Sequence, residues 1–294
     1  MSPQELEAAD RLIELAVRED LGGGDLTAGM LTNAGARASF ELAARQRGVL
    51  AGVDLAERIL QAYDDSIEIE WERSLGDGVE IGPGTPSLAT IRGPLGPILS
   101  AERVLLNFLQ RLCGVATLTR AYADAVAGTG ASILDTRKTT PGWRRLEKYA
   151  VRCGGGANHR EGLYDAVLIK DNHLAGTETE RIAAAVFDML NRLASAEHRP
   201  KFVEVEADDV GQLDAILKVV GVDVVLVDNF SVDELRRAVE LRDRRGLRGK
   251  VALEASGGIT LQSVRAVAET GVERISVGAL THSAPALDLS LERA

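Results

Sequence analysis

The sequence predicts an α/β protein in two parts. An N-terminal α+β segment carries a small sheet, and repeated βα units then build a parallel sheet that is closed or nearly closed as a barrel. Three observations carry this. Apolar residues recur at helical spacing over 3–20 and again over 102–127. Between 36 and about 93 the chain alternates instead and is cut by turn clusters such as GDG and GPGTP. After residue 130, short apolar runs alternate with helical stretches, the texture of βα units on a parallel sheet.

In chain order, Leu6, Ala9, Leu12, Ile13, Ala16 and Val17 give the first helix one apolar stripe, and LGGGD at 21–25 ends it. ASFELAARQRGVLAG, SIEIEWE and PSLATIRG supply the strands of the small sheet. A long helix follows over Glu102–Ala127, with Val104, Leu105, Phe108, Leu109, Leu112, Val115 and Ala116 on one stripe and a break expected at Gly114. Six strands come next: SILD, AVLIK, KFVEVE, VVLVD, VALEAS and RISVG. Each ends in charge or glycine, in turn Thr136-Arg137-Lys138, Lys170-Asp171-Asn172, Glu204 with Glu206, Asp228-Asn229, Ser256-Gly257-Gly258 and Gly278. The C-terminal strand ends of a (β/α) barrel converge on one face, where such folds place their active sites.

The 294 residues carry a formal net charge of -10, with 45% hydrophobic and 27% charged residues, an ordinary globular composition. No apolar run is long enough to cross a membrane, and the start MSPQELEAAD has neither a basic nor an apolar leader region, so a cytoplasmic protein is expected. In that setting Cys113 and Cys153 are reduced thiols and the Asn229-Phe-Ser231 sequon is idle. The acidic balance argues against nucleic acid as a partner. HExxH, clustered Cys/His ligands, a Walker loop and GxGxxG are all missing from the sequence, so a zinc site, a P-loop ATPase and a dinucleotide site are unsupported.

Against that acidic background stands a basic island, ILDTRKTTPGWRR at 133–145, followed by Lys148, Arg152, His159 and Arg160, with Glu147 the one acid of 137–160. Arg137, Lys138, His159, Arg160 and Lys170 read as a wall for a small anion with several negative groups, whereas Arg144, Arg145, Lys148 and Arg152 read as a solvated helix face. CGGGANHREGL at 153–163 is a glycine loop that delivers His159 and Arg160. SGGIT at 256–260, leading into a helix over LQSVRAVAE, reads as a phosphate grip made by Ser256, Gly257 and Gly258. SVGALTHS offers a second such turn through Gly278 and Ala279, with His282 at the phosphate. Glu204 and Asp228 are a hard-oxygen pair for Mg²⁺ or for ribose hydroxyls, and Glu206 shares a face with Glu204, so one of the two closes the site by pairing with Lys or Arg. His173 stands behind Lys170, and His198 in SAEHRP is a surface residue.

An ordered set of motifs then identifies a family. EDLGGGDLT (19–27), AERVLLNFLQRLCGVAT (101–117), DTRKTTPGWR (135–144), GGGANHREGL (154–163), IKDNH (169–173), VEVE (203–206), DNF (228–230), EASGGI (254–259) and ISVGALTHS (275–283) resemble quinolinate phosphoribosyltransferases over nearly the whole chain. Trp143 stands where the family motif has an aliphatic residue. The resemblance implies conversion of quinolinate and phosphoribosyl pyrophosphate to nicotinate mononucleotide, pyrophosphate and CO₂, with Mg²⁺, in NAD biosynthesis. It implies an N-terminal domain, 1–112 joined by the tail 285–294, beside an incomplete α/β barrel at 113–284, in a homodimer, or a higher oligomer, with shared sites. It also implies roles: Arg137, His159, Arg160 and Lys170 on the quinolinate carboxylates, Arg103 reaching the partner subunit's site, and Lys138 on pyrophosphate. Glu204 and Asp228 would serve Mg²⁺ and ribose, and Ser256, Gly257, Gly258 and Gly278 the 5′-phosphate. Lys138, Lys170, Glu204 and Asp228 are the catalytic set. Alternatives of other kinds are a same-fold paralogue acting in molybdate handling or on nicotinate itself, a Schiff-base lyase using Lys170, and an anion-binding protein without turnover.

Overall fold

The computed structural model describes residues 1–85, 87–193 and 199–294. Helix α1 (Pro3–Leu21) opens on a capping box in which Ser2 and Glu5 exchange hydrogen bonds, with proline at the first helical position, and it buries Ala9 and Ile13. Then come β1 (Arg37–Ala44), β2 (Gly48–Val49), α2 (Val53–Gln61), β3 (Glu68–Trp71), β4 (Glu80–Ile81), β5 (Ala89–Pro94) and α3 (Leu95–Ala125). The remainder runs β6 (Ser132–Leu134), α4 (Arg144–Cys153), β7 (Val167–Ile169), α5 (Thr179–Leu193), β8 (Val203–Ala207), α6 (Val210–Ile216) and β9 (Val224–Asp228). It continues with α7 (Val232–Arg244), β10 (Ala252–Ser256), α8 (Val264–Ala268), β11 (Arg274–Ser276), α9 (Ala279–His282) and β12 (Leu289–Arg293). Two compact units result: Met1–Arg120 with Lys138–Gly156 and Ala279–Ala294, and Ala121–Arg137 with Ala157–Gly278.

In the first unit β12, β1, β5 and β3 form an antiparallel sheet in that order, and β2 pairs with β4. Strand β1 buries Phe40, Leu42 and Ala44 on one face, the half-buried alternation read from its sequence. The tail joins this sheet through Phe40–Ala44 of β1, paired with Leu289–Arg293. Helix α3 begins at Leu95, two turns ahead of the expected start, because Pro97 in the first turn has no N–H to leave unpaired. It also runs unbroken through Gly114. The glycine is there for space, since a Cβ would collide with the Pro285 carbonyl oxygen. The expected boundary at 112 therefore falls inside a continuous helix, whereas the units divide near its C-terminus. Residues 138–156 belong to the first unit because α4 packs on α1, with Arg152 paired to Glu5 at 2.6 Å.

The second unit is a six-stranded parallel sheet in the order β6-β11-β10-β9-β8-β7. All six sequence-predicted strands are present, and β6 and β7 are its two edges, so the barrel is incomplete. Side chains alternate across the sheet. Val205, Val225, Val227, Leu253, Ala255 and Ile275 are buried on one face. The register sets Glu206 beside Leu226, Leu226 beside Glu254 and Glu254 beside Arg274, so the other face carries a band of charge. The β8 strand is buried along its full length even though every second residue is a glutamate.

Candidate active site

At the C-terminal ends of four adjacent strands of the second unit, the expected residue types come together. Lys170 follows β7 and donates from Nζ to Glu206 Oε2 of β8 at 3.1 Å. The Lys170 backbone N–H donates to His173 Nδ1 at 2.8 Å, which fixes the strand end that carries the lysine. Burial raises the Glu206 pKa, Lys170 opposes the shift and Asp228 adds to it, so the two carboxylates sense each other. Asp228 ends β9 and accepts a hydrogen bond from Asn229 Nδ2 at 2.6 Å. Asn229 has φ 57, the one positive value at a non-glycine position among the described residues, and its N–H donates to the Ser256 carbonyl at 2.9 Å. Next door Gly257 has φ 91, and a Cβ there would collide with the Asn229 side chain. Backbone conformation and space both require glycine. Strain of this kind is concentrated at functional sites. The helix expected directly after SGGIT starts later, at Val264, because residues 257–263 form an extended loop and turn. Loop N–H groups and the Ser256 hydroxyl, rather than a long helix terminus, are therefore what this strand end presents.

Glu204 lies deeper. Its partner in register is Val224, four residues before Asp228, so the expected Glu204/Asp228 pair is not brought together; Glu206 is the carboxylate beside Asp228. Glu204 is fully buried, with Oε2 at 2.8 Å from His159 Nε2, and the same nitrogen lies 3.3 Å from Glu254 Oε1. Arg274 Nε donates to the other oxygen of Glu254 at 2.6 Å. The Arg160 N–H donates to His159 Nδ1 at 2.7 Å, which excludes a proton there and puts the ring proton on Nε2 between the carboxylates. The two acids differ. Burial raises the Glu204 pKa, while His159 and Arg274 overcome burial to lower that of Glu254. His159, Glu204 and Glu254 present donor atoms within 4.8 Å of one another, and Arg274 sets a guanidinium charge against Glu254. His159 thus has both ring nitrogens engaged inside the protein.

Arg160 is buried, and burial followed by the Arg137 charge lowers its pKa. In the first unit, Glu147 is fully buried and accepts from Arg111 Nη2 at 2.5 Å, from the Thr140 N–H at 3.0 Å and from the Thr140 hydroxyl at 2.8 Å. The Thr281 hydroxyl donates to the Lys138 carbonyl at 2.7 Å. Lys148 is buried, contrary to the solvated face expected, since α4 turns it inward with Leu146 and Ala150; Arg144 bonds Thr139 and Arg152 bonds Glu5. Arg103 is exposed on α3, and exposed His282 on α9 bonds Ser283. Gly278 follows β11. Both cysteines are free thiols. His198 lies outside the described residues. Sequence reading missed Glu254, Arg274 and Arg111; period-two alternation back from Ser256 was the available signal for Glu254.

The model of the quinolinate phosphoribosyl transferase C-terminal domain matches residues 115–292, and that of the N-terminal domain matches 25–113. A nicotinate-nucleotide pyrophosphorylase (carboxylating) of Mycobacterium leprae is 42% identical over 297 residues, covering 99% of each chain. A probable enzyme of the same name from Bacillus subtilis is 38% identical, over 93% of this chain and 89% of its own. The solved structure of the nicotinate-nucleotide pyrophosphorylase from Francisella tularensis superposes with a TM-score of 0.87 at 38% identity, over 98% of this chain and 96% of the other. With both domain models matched and similarity along its full length, the chain belongs to the quinolinate phosphoribosyltransferase family.

Proposed function

We infer that this chain transfers the phosphoribosyl group of phosphoribosyl pyrophosphate to quinolinate with decarboxylation, giving nicotinate mononucleotide, pyrophosphate and CO₂ for NAD biosynthesis. Beside family membership, one geometric observation carries the reading. A cation, two carboxylates and a glycine loop stand side by side at four adjacent strand ends, Lys170, Glu206, Asp228 and Ser256–Gly258. Among the described residues no helix is long and apolar enough to cross a membrane, consistent with small soluble substrates.

The chemistry follows from charge. The quinolinate nitrogen attacks the anomeric carbon as the bond to pyrophosphate breaks, and positive charge builds on the ribose. Arg137, Arg160 and Lys170 orient the two carboxylates of quinolinate, Asp228 faces the ribose, and Lys138, next after Arg137, takes the departing anion. Ser256, Gly257, Gly258 and Gly278 hold the 5′-phosphate. The donor set offers Mg²⁺ the Asp228 carboxylate with Glu206, both at one strand-end level, while Glu204 faces His159 below them. Bound there, Mg²⁺ would offset pyrophosphate charge. Electrostatic positioning then supplies the catalysis, and no covalent nucleophile is needed. Once ribosylated, the ring nitrogen is cationic and stabilises the electron pair left when the C–C bond to the adjacent carboxylate breaks; CO₂ leaves and a proton from solvent takes its place. Release of CO₂ from quinolinate without phosphoribosyl pyrophosphate would reverse that order.

The deciding experiment offers quinolinate or nicotinate with phosphoribosyl pyrophosphate and Mg²⁺, with a chelator control, and follows nicotinate mononucleotide and CO₂. Product from quinolinate alone, lost on chelation, is expected; product from nicotinate alone would move the assignment to the mono-acid. Gly257→Ala should raise the KM for phosphoribosyl pyrophosphate by about tenfold, because a side chain at that φ costs on the order of 1–2 kcal/mol. An unchanged KM would remove Gly257 from the phosphate grip. We also propose a homodimer in which exposed Arg103 serves the partner's site. Mixing Arg103→Ala with Arg137→Ala protein should then restore part of the activity that each lacks, and no recovery after subunit exchange would argue against shared sites.

A further inference from the structure

The seam between the edge strands β6 and β7 is occupied by the loop 157–160. Ala157 bridges Leu134, and its N–H donates to the Ile133 carbonyl at 2.8 Å. Asp135, just beyond β6, accepts from the His159 N–H at 2.9 Å and from Asn158 Nδ2 at 2.5 Å. On the other side Arg160 Nη1 donates to the Ala166 carbonyl, the residue before β7, at 3.4 Å. The loop thus spans the gap that strand pairing leaves, and the His159 ring passes into the interior to reach Glu204 on β8 and Glu254 on β10. The Phe202 ring meets the imidazole edge to face at 5.4 Å, and Arg274 lies over the same Phe202 at 5.3 Å.

Two buried glutamates and an arginine are an expensive way to fill a barrel interior. Apolar residues of similar volume would stabilise the fold as well or better, so an ionic cluster points to a positional requirement. That requirement is visible in the next residue. The Arg160 guanidinium is buried, with Nη1 on the Ala166 carbonyl, and a buried guanidinium keeps one direction only while its backbone is fixed. The pin is the hydrogen bond from the Arg160 N–H to His159 Nδ1, and the ring is held in turn by Glu254, which Arg274 braces from behind.

We propose that Glu254, braced by Arg274, is a positioning residue for quinolinate recognition that acts through His159 to hold Arg160 in place. The proposal rests on the quinolinate reading above. Its test is steady-state kinetics of Glu254→Gln, which keeps the shape and an acceptor oxygen but removes the charge. The KM for quinolinate should rise roughly tenfold or more, since small misplacements transmitted from outside the reacting groups cost this much, while kcat and the KM for phosphoribosyl pyrophosphate stay within about twofold. In a His159→Gln background Glu254→Gln should add nothing, because the connection runs through the imidazole. Both KM values and kcat changing in parallel, or a full additional effect without His159, would overturn the proposal. If Glu254→Gln protein does not fold, Arg274→Lys, which keeps the charge but loosens the brace, must give the same selective KM change or the proposal fails. Wild-type protein inactive with quinolinate would reject the function reading and this inference with it; active wild type with an unaffected Glu254→Gln would reject this inference alone.

Discussion

Arg137→Ala should raise the KM for quinolinate by about one to two orders of magnitude and leave that for phosphoribosyl pyrophosphate within about twofold, because a hydrogen bond between charged groups is worth roughly 1.5–3 kcal/mol. The expectation comes from two guanidinium groups of the second unit, Arg137 exposed after β6 and Arg160 buried in the loop before β7. Burial and the Arg137 charge both lower the Arg160 pKa, with Glu204 and Asp165 offsetting part of the shift. A dianion such as quinolinate supplies the compensating charge, and each arginine presents a planar fork to one carboxylate. Arg137→Lys should therefore recover only part of the loss, since an ammonium group keeps the charge and not the fork. Comparable loss of affinity for both substrates would show that Arg137 serves the loop rather than quinolinate.

Strand ends were readable from sequence because two rules coincide there: β-branched runs end where polar residues begin, and period-two alternation sets the face. Lys170, Glu206, Asp228 and Ser256 follow from that alone. What one sequence does not carry is register between strands. Glu204 and Glu206 share a face, and only the pairing of Glu204 with Val224 shows that the first lies well below Asp228 and the second beside it. The pairing with Lys foreseen for one of the two belongs to Glu206. The same limit hid Glu254 and Arg274, whose importance lies in partners 95 and 20 residues away on other elements. Lys148 was misjudged for a different reason. A basic residue on a short helix looks solvated until the packing of α4 on α1 decides which face is inside.

Glu147→Ala should destabilise the protein by about 3–5 kcal/mol, since removing one partner of a buried ion pair leaves the other uncompensated. That is a large share of the roughly 5–15 kcal/mol that holds a typical protein folded. Glu147 is the acid in the basic island, and it is fully buried. Arg111 bonds it through both Nε, at 3.2 Å, and Nη2, and reaches the carbonyls of Ala284, at 2.9 Å, and Thr281. One carboxylate thereby ties α3, α4 and the turn at Thr140 together. Calorimetry should show a melting temperature lower by on the order of 10 °C, at about 2–4 °C per kcal/mol for a chain of this size class. The control is the double variant Arg111→Met/Glu147→Ala. Removing both charges leaves no orphan, so it should melt above Glu147→Ala alone. Additive loss in the double variant would mean that the two residues stabilise through packing rather than through their pairing. Activity separates a second consequence. Thr281 fixes the Lys138 backbone from one side while Glu147 fixes Thr140 two residues on, so a folded Glu147→Gln protein should lose kcat before it loses affinity for quinolinate. A quinolinate KM that rises with kcat unchanged would instead show that this anchor serves the substrate wall and not the lysine assigned to pyrophosphate.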